Sequence, residues 1–254
     1  MFKGFYNLTS GMLTQQRNLT VVADNLVNVS TAGYKESRYL ASTFDDVMYN
    51  ITGNKKKEYT EIGRQSYIRA NDEIYINHEQ GILEPTNIPL DFAIYGDGFF
   101  AIRTNNGNTV YTRAGSFSLD EEGYLCFPGQ GRVLDPNRQP IQLGTDKITA
   151  DGHGNIFAEE HEEDEDGFLA QLGVFVFGNV EQLDYNEQGM FTGGGGTAAD
   201  NPTVYWKHIE RSNTDMVRQM TQMLTSERSL QSVAQVTKMY DEVMGHAASD
   251  VGRM

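Results

Sequence analysis

Residues 5–29 read FYNLTSGMLTQQRNLTVVADNLVNV, and the spacing of their apolar side chains decides the fold of the N-terminal segment. Apolar residues recur at alternating steps of three and four, which is the heptad pattern of a helix that packs along one seam. Gly33 supplies a stop after the pattern ends. The stretch therefore predicts a long amphipathic helix. Its seam consists of Phe5, Leu8, Met12, Gln15, Leu19, Val22, Leu26 and Val29.

The C-terminal residues repeat this pattern. Apolar side chains recur at helical spacing, and residues 212–215, SNTD, offer helix N-caps near its start. We predict a second amphipathic helix within residues 208–254, and each seam could pack against the other or against the same seams of neighbouring chains. The second seam consists of Ile209, Met216, Met220, Met223, Leu230, Ala234 and Met244.

Between the two helices the pattern changes to period two and to short apolar runs, such as residues 90–95, 99–102 and 172–177. Glycine-rich and asparagine-rich turns separate these runs, which is typical of hairpins rather than of helical crossovers. The sequence predicts an α+β fold in which the N- and C-terminal helices form a coiled-coil pair and the central domain is mostly antiparallel β structure.

The predicted organisation has five segments. Residues 36–69 are expected to form an extended arm, in which residues 44–51 fit either a helix end or a strand and residues 53–57 fit a polar turn. The glycine run that begins at residue 193 predicts a flexible connection. The boundaries are 1–35 for the N-terminal helix and its exit turn, 36–69 for the arm, 70–192 for the β domain, 193–207 for the linker and 208–254 for the C-terminal helix.

The composition excludes several classes of protein. Thirty-five acidic side chains against twenty basic ones give a formal charge of -15, which is the wrong sign for neutralising nucleic-acid phosphates. Cys126 is the only cysteine in the sequence, so it encodes no disulfide framework. No window reaches the roughly 18 apolar residues of a membrane-spanning helix, and residues 1–11 lack the features of a secretory signal. We predict no nucleic-acid partner and no cleaved signal peptide.

Residues 96–101, GDGFFA, match the G-x-G-x-x-A form of the dinucleotide-binding fingerprint. That fingerprint binds a pyrophosphate only when it opens a helix. The residues after Gly98 instead fit a strand, a turn at 105–108 and a second strand. We predict no nicotinamide cofactor, and an oxidoreductase stays as an alternative that tight NAD binding would reveal.

Residues 159–166, EEHEEDED, carry the oxygen ligands that calcium prefers. In the twelve-residue calcium loop, Gly167 at the sixth position would place Gly173 where a bidentate glutamate is required. A block of like charges is more often a solvated loop. We predict no metal site, and a calcium-dependent adhesin stays as a further alternative.

Catalytic patterns are also absent from the sequence. The nearest approach to a G-x-S-x-G elbow is residues 115–118, GSFS, which lack the second glycine. The 35 carboxylates make chance acid and base pairs common. We predict neither enzymatic activity nor a small-molecule substrate.

Residues 23–35, ADNLVNVSTAGYK, resemble the N-terminal signature of bacterial flagellar rod and hook proteins, which usually runs N-L-A-N-x-x-T-x-G-[FY]-K. Val27 stands where alanine is usual. Residues 209–220, IERSNTDMVRQM, are similar to the C-terminal pattern L-E-x-S-N-V-D-x-x-x-E-M, with Gln219 where an acidic residue is usual. The central region is similar to the family at residues 80–83 (QGIL), 89–100 (PLDFAIYGDGFF), 111–117 (YTRAGSF) and 120–125 (DEEGYL).

The resemblance implies a structural subunit of the flagellar axis. The length and the single central domain resemble a rod protein rather than the longer hook protein, and residues 132–135 and 140–143 look more like the proximal than the distal rod type. Its implied partners are other copies of the chain, neighbouring rod and hook proteins and the flagellar export apparatus. Its implied location is the basal body.

The same resemblance implies that the terminal helices make the contacts of the assembly. On the N-terminal helix we expect contacts from Phe5, Leu8, Met12, Leu19, Val22 and Leu26, and on the C-terminal helix from Met216, Met220, Met223 and Leu230. Small polar residues and glycine can cap a helix and turn the chain. We therefore expect Asn28, Thr31 and Gly33 to shape the exit from the first helix, and we expect these three residues and Asn213 to belong to the assembly interface.

Overall fold

The computed structural model describes residues 2–43, 47–52, 59–65, 69–159, 167–180, 183–186 and 189–252. The chain forms two compact units. We call the first the helical unit, which contains residues 1–27, 37–76 and 215–254. The second, the β unit, contains residues 28–36 and 77–214.

Among its described residues, the helical unit contains the two long helices and four strands. Helix α1 spans Phe2–Val27 and helix α2 spans Met216–Val251. The strands form two antiparallel ribbons, in which β1 pairs with β4 and β2 pairs with β3. Their bounds are Ser37–Thr43 for β1, Val47–Thr52 for β2, Tyr59–Gln65 for β3 and Arg69–Ile76 for β4.

Helices α1 and α2 pack against each other in antiparallel directions. Near the end of α1, Asn25 hydrogen-bonds to Gln219 near the start of α2. Earlier along α1, Asn18 hydrogen-bonds to Ser226. At the other end, a β-carbon placed on Gly4 would lie 3.4 Å from the hydroxyl oxygen of Tyr240. The predicted pairing of the terminal helices is therefore confirmed.

The β unit contains sixteen strands among its described residues, and all of their pairings are antiparallel. The largest sheet follows the order β16-β17-β8-β7-β11-β10-β9, and β15 joins it through β7 and also pairs with β18. A three-stranded sheet contains β12, β13 and β14, and two small ribbons pair β19 with β6 and β20 with β5. The predicted central antiparallel structure is confirmed.

The strands of the β unit are short, as its many turns require. Their bounds are β5 Leu83–Pro85, β6 Phe92–Tyr95, β7 Phe99–Thr104, β8 Thr109–Thr112, β9 Ser118–Leu119, β10 Leu125–Phe127, β11 Gly131–Val133, β12 Ile148–Ala150, β13 Asn155–Ala158, β14 Phe168–Gln171, β15 Val174–Val176, β16 Asp184–Tyr185, β17 Phe191–Thr192, β18 Thr197–Ala198, β19 Thr203–Trp206 and β20 His208–Glu210.

The core of the β unit is apolar and rich in aromatic side chains. Phe92, Phe100 and Leu125 are completely buried, and the Phe100 ring lies edge-on to Phe117 with 5.2 Å between their centroids. Burial of such side chains stabilises the unit, at about 25 cal/mol per Å² of apolar surface removed from water. The main cluster consists of Leu90, Phe92, Ile94, Phe100, Phe117, Leu125, Val133, Ile141, Leu143, Ile148, Ile156, Leu172, Val174 and Val204.

The glycine pair of the apparent dinucleotide fingerprint lies in a turn between two strands. Strand β6 ends at Tyr95 and β7 begins at Phe99, so residues 96–98 connect strands and open no helix. Both Gly96 and Gly98 have positive φ angles, 88° and 129°. A side chain at Gly98 would also meet Val174 at 2.6 Å. These glycines therefore serve the backbone turn, as the strand pattern predicts.

Three details differ from the predicted segments. Residues 193–207, expected to be a flexible linker, contain β18, which pairs with β15, and β19, which pairs with β6 and buries Val204 in the core. Helix α2 begins at Met216, so Ile209, which the apolar spacing assigns to its seam, belongs to strand β20. Residues 70–76, assigned by periodicity to the β domain, pair instead with β1 in the helical unit.

Some predictions fall outside the described residues. These include the polar turn at 53–57 and all of the acidic run 159–166 except Glu159. The sequence left open whether residues 44–51 form a strand or the end of a helix. Residues 47–52 form strand β2. None of the described helices has a stretch apolar and long enough to cross a membrane.

Candidate assembly interface

The side of α1 that faces α2 carries mostly small and polar side chains, with Val21 as its one large apolar member. Thr14, Val21 and Asn25 are buried there, and their spacing of three and four residues continues through two further members. Asn18 donates a hydrogen bond to the hydroxyl of Ser226 at 3.0 Å, and Ser226 is itself buried. We call this row the polar stripe of α1. It consists of Gly11, Thr14, Asn18, Val21 and Asn25.

The facing side of α2 has the same periodicity. Gln219 and Ser226 are buried, and the members that follow along the helix are half-buried. Met223 and Leu230, two of the predicted contact residues, belong to this inward row and are therefore partly used within the chain. The inward row of α2 consists of Gln219, Met223, Ser226, Leu230, Val233, Thr237, Tyr240 and Met244.

The predicted apolar seam of α1 lies one residue further along the sequence than the polar stripe. One residue is a rotation of about 100° around an α-helix, so the two rows are neighbours on its surface. Val22 is buried, whereas Leu8, Leu19 and Leu26 are half-buried. Phe5 and Met12 are each 37% exposed. The apolar seam is thus incompletely covered by the chain's own residues.

The outward side of α2 exposes large apolar side chains. Met216 and Met220, both predicted contact residues, are exposed, and Val217 is 74% and Leu224 56% exposed beside them. A second group near the C-terminal end contains Val236, Met239 and Val243. Exposed apolar groups of this kind on a helix mark a surface that another chain can cover. At about 100° per residue the second group lies about 120° around the helix from the first. We call the first group, Met216, Val217, Met220 and Leu224, the outer face of α2.

Asn25 also fixes the start of strand β1. Its side-chain Nδ2 donates to the carbonyl oxygen of Ser37 at 2.7 Å, and its Oδ1 accepts from the backbone N–H of Ser37 at 2.9 Å. The amide of Asn25 therefore pairs with one residue of backbone as a neighbouring strand would. Both residues are buried, which makes these hydrogen bonds expensive to lose. Sequence reasoning missed this role, although Asn25 lies within the N-terminal signature.

The turn after α1 uses the three residues that the sequence predicts for it. The backbone N–H of Thr31 donates to the carbonyl of Asn28 at 3.1 Å, and the two side chains lie 3.2 Å apart. Gly33 has a φ of 70°, which favours glycine. A β-carbon there would lie 2.2 Å from the backbone nitrogen of Ala114, so the close approach of two backbones also requires glycine.

Next to this turn, two cations share a buried carboxylate. The Nζ of Lys35 lies 2.6 Å from Oε1 of Glu210, and Nη1 of Arg113 lies 3.4 Å from its Oε2. The backbone N–H of Gly81 donates to the same carboxylate at 2.9 Å. The backbone carbonyl of Glu210 accepts from Gly33 at 2.7 Å. We call Lys35, Arg113 and Glu210 the ion cluster.

Burial and charge oppose each other in the ion cluster. Burial lowers the pKa of Lys35, while the neighbouring Glu210 carboxylate raises it. The pKa of Arg113 is lowered by burial as well, against the attraction of Glu210 and Asp97. Burying a cation without a counter-charge raises the free energy of the folded state, so the Glu210 carboxylate is needed to keep Lys35 and Arg113 buried.

Asn213 joins the segments that lead into the helical unit. Its Oδ1 accepts from the backbone N–H of Glu36 at 2.7 Å. Its Nδ2 donates to the carbonyl oxygens of Asn77 at 2.8 Å and of Glu79 at 3.0 Å. Asp215, two residues later, caps α2 by accepting from the N–H groups of Val217 and Arg218. Asn213 is therefore a link between chain segments, and Asp215 is the cap.

The ion cluster and Asn213 draw together stretches that lie far apart in the sequence. We call this assembly of contacts within the β unit the junction. Sequence reasoning identified Gly33 as part of the exit turn but missed the ion cluster, because Lys35 and Glu210 stand beside other charged residues in their own motifs. The contributing residues are Gly33 and Lys35 from 23–35, Gly81 from 80–83, Arg113 from 111–117, and Glu210 and Asn213 from 209–220.

Three protein-family models match these same parts of the chain. The model described as flagella basal body rod protein matches residues 5–35. The model of the flagellar hook protein FlgE/F/G D1 domain matches residues 93–158. The model of the flagellar basal body rod FlgEFG protein C-terminal region matches residues 207–250. The matched ranges include nearly all of both helices and most of the junction.

Curated proteins are similar to this chain over nearly its whole length. The flagellar basal-body rod protein FlgG of Bacillus subtilis is 32% identical, and the alignment covers 96% of this chain and 97% of that protein. The FlgG of Borreliella burgdorferi is 27% identical over 97% of this chain and 98% of its own length. The flagellar basal-body rod protein FlgF of Mesorhizobium japonicum is 28% identical over 99% of both chains.

Proposed function

Because the chain belongs to the family of flagellar basal-body rod proteins, we propose that it polymerises through the exposed apolar side chains of its terminal helices. As a member of that family it is a structural subunit of the flagellar basal body and not an enzyme. The single observation that carries the proposal is the outer face of α2, whose four apolar residues are left exposed by the chain.

The helix pairing within one chain supports this proposal. On α1 the contact with α2 is made largely by small and polar residues, so Phe5 and Met12 of α1 and the outer face of α2 stay exposed after the helical unit has folded. Covering them in an assembly removes apolar surface from water at about 25 cal/mol per Å². The free energy that drives association is therefore available only when another chain is present.

The two exposed surfaces differ from each other, which favours a polymer. One is the apolar seam of α1, with Phe5 and Met12, and the other is the outer face of α2. A contact that joins different surfaces on successive copies is heterologous, and repeating it produces an open helical array unless the rotation closes a ring. We therefore infer that the seam of one copy contacts the outer face of the next.

Further parts of the proposal concern neighbours and position. We propose neighbouring rod and hook proteins as additional contacts along the axis, and the flagellar export apparatus as the route by which the chain leaves the cell interior. We also propose that the subunit is of the proximal rod type, because residues 132–135 and 140–143 resemble that type more than the distal one.

The location can be measured with a tag at Gly194, which is exposed and where an added β-carbon would meet no other atom within 4 Å. Hook-basal bodies purified from the tagged strain would be analysed by mass spectrometry and by gold labelling. We expect the chain in the rod below the hook, and the distance of the label from the hook decides between the proximal and distal types. Absence of the chain from intact basal bodies would overturn the proposal.

A further inference from the structure

His78 occupies the middle of the junction. Its neighbours in the chain, Asn77 and Glu79, both offer their backbone carbonyl oxygens to Asn213, and the carbonyl of Glu79 also accepts from the ammonium of Lys35 at 2.7 Å. The backbone N–H of Asn77 donates to the carbonyl of Glu36 at 2.8 Å. Any movement of residue 78 therefore disturbs the contacts on either side of it.

The surroundings of the His78 imidazole favour its neutral form. It packs against Phe191 with 5.4 Å between centroids and lies edge-on to Phe99 at 6.4 Å. Its Nδ1 is buried and has no hydrogen-bond partner among the described residues. A protonated ring would carry a second N–H that also needs an acceptor, in surroundings that provide none at this nitrogen.

The two charged groups that act electrostatically on the imidazole are both cations. The positive charges of Lys35 and Arg113 both lower the pKa of His78. The guanidinium of Arg113 lies 5.2 Å from the centroid of the Phe99 ring, which His78 also contacts. The carboxylate of Glu210 is bound to both cations, and Asp97 attracts Arg113. On the chain next to His78, the Glu79 carboxylate accepts from the side chain of Asn77 at 3.1 Å. Tyr185 packs behind Phe191, and burial keeps its phenol neutral by raising its pKa.

We propose that His78 makes the junction acid-sensitive. A proton on its imidazole places a third cation beside Lys35 and Arg113, and residues 77–79 then loosen from Asn213 and from the turn at Gly33. Because both segments that lead into the terminal helices start at the junction, acid would also disfavour incorporation into the rod, a consequence that rests on the proposed function. The effect on stability is independent of that function.

The sign of the pH dependence follows from the neutral ring. Burial, and then the charges of Lys35 and Arg113, lower the pKa of His78 below the ordinary histidine value of about 6.5. The unfolded chain then binds more protons than the folded chain at mildly acidic pH. The stability that the neutral His78 contributes is fully present when the pH is above the ordinary histidine pKa. This stability is lost as the pH falls from the ordinary pKa through the lower folded-state pKa.

The test is urea unfolding of the full-length chain at about pH 7.5 and about pH 5.5. The His78→Gln variant has no titrating group at this position. All other titrating groups are the same in both chains, so the difference in stability between them reports His78 alone. His153→Gln is the matched control, because His153 is exposed in a turn of the same unit. Each unit of pKa difference corresponds to a tenfold change in the folding equilibrium constant.

On acidification we expect the wild-type chain and His153→Gln to lose stability relative to His78→Gln. The folding constant of the wild-type chain divided by that of His78→Gln should fall severalfold, and His153→Gln should behave like the wild-type chain. An unchanged ratio would overturn the proposal. If His78→Gln does not fold, a titration of the wild-type imidazole by nuclear magnetic resonance decides the question. A His78 pKa below the ordinary value supports the proposal, and one at or above that value contradicts it.

Discussion

The ammonium of Lys35 and the carboxylate of Glu210 lie 2.6 Å apart although 175 positions separate them in the sequence. Both side chains are almost completely buried. Lys35 belongs to the exit turn that follows α1, and Glu210 belongs to strand β20, which precedes α2. This ion pair therefore holds the two ends of the β unit's chain at one place.

Replacing Glu210 by glutamine leaves Lys35 and Arg113 buried without their shared carboxylate. Because an uncompensated buried charge is costly, we expect Glu210→Gln to lower the free energy of unfolding by about 3–5 kcal/mol. Urea unfolding of the full-length chain measures this change.

The control for that change is Glu84→Gln. Glu84 pairs with Arg211 at 3.1 Å, but about half of each side chain is exposed. Pairs at the surface contribute about 0–1 kcal/mol, so this variant should stay close to the wild-type stability. Equal effects of the two substitutions would contradict the importance of the ion cluster.

Gly33→Ala is expected to destabilise the exit turn for two reasons. The left-handed backbone at 70° is unfavourable for alanine, and the added β-carbon would overlap the backbone of Ala114. Gly107→Ala is the matched control, since Gly107 has a φ of 82° and open space around it. We expect Gly33→Ala to cost at least about 2 kcal/mol more than Gly107→Ala in thermal or urea unfolding. Similar losses would show that only the φ angle matters.

Asn25→Ala removes both hydrogen bonds to the backbone of Ser37 and leaves two buried polar groups unsatisfied. We expect a loss of about 2 kcal/mol or more. Asn7→Ala is the control, because Asn7 is an exposed residue of the same helix and alanine favours helix formation. Circular dichroism of the helical signal during heating compares them. The tethering role would be contradicted if Asn25→Ala melted like Asn7→Ala.

The sequence allowed both helices to be predicted, because each keeps a clear apolar periodicity. It did not reveal how they pair. The stripe of α1 that faces α2 contains Gly11, Thr14, Asn18 and Asn25, and an apolar pattern selects the neighbouring row instead. Hydrogen bonds such as that of Asn18 to Ser226 decide the contact, and they depend on a partner 208 residues away.

The junction was only partly predictable for a similar reason. A glycine after a helix signals a turn, so Gly33 could be identified from its neighbours alone. Arg113 and Glu210 are 97 residues apart, and nothing in their local sequence indicates that they meet. Strand β19 was missed because its single buried residue, Val204, follows a glycine-rich run that resembles a linker.

The measurement that tests polymerisation most directly places charge on the outer face of α2. The double variant Val217→Asp/Leu224→Asp would be expressed in a strain that lacks the wild-type chain. Both side chains are already mostly exposed, so the isolated chain should keep its fold. Gln222→Asp/Thr225→Asp adds the same two charges at exposed polar positions of the same helix.

Mass spectrometry of purified basal bodies, with motility as the accompanying readout, measures how much of each variant is incorporated. Burying two unpaired charges in an apolar contact is strongly unfavourable. We therefore predict that Val217→Asp/Leu224→Asp is folded but absent from the rod and that the control is incorporated. Incorporation of the double variant at the wild-type level would contradict assembly through the outer face of α2.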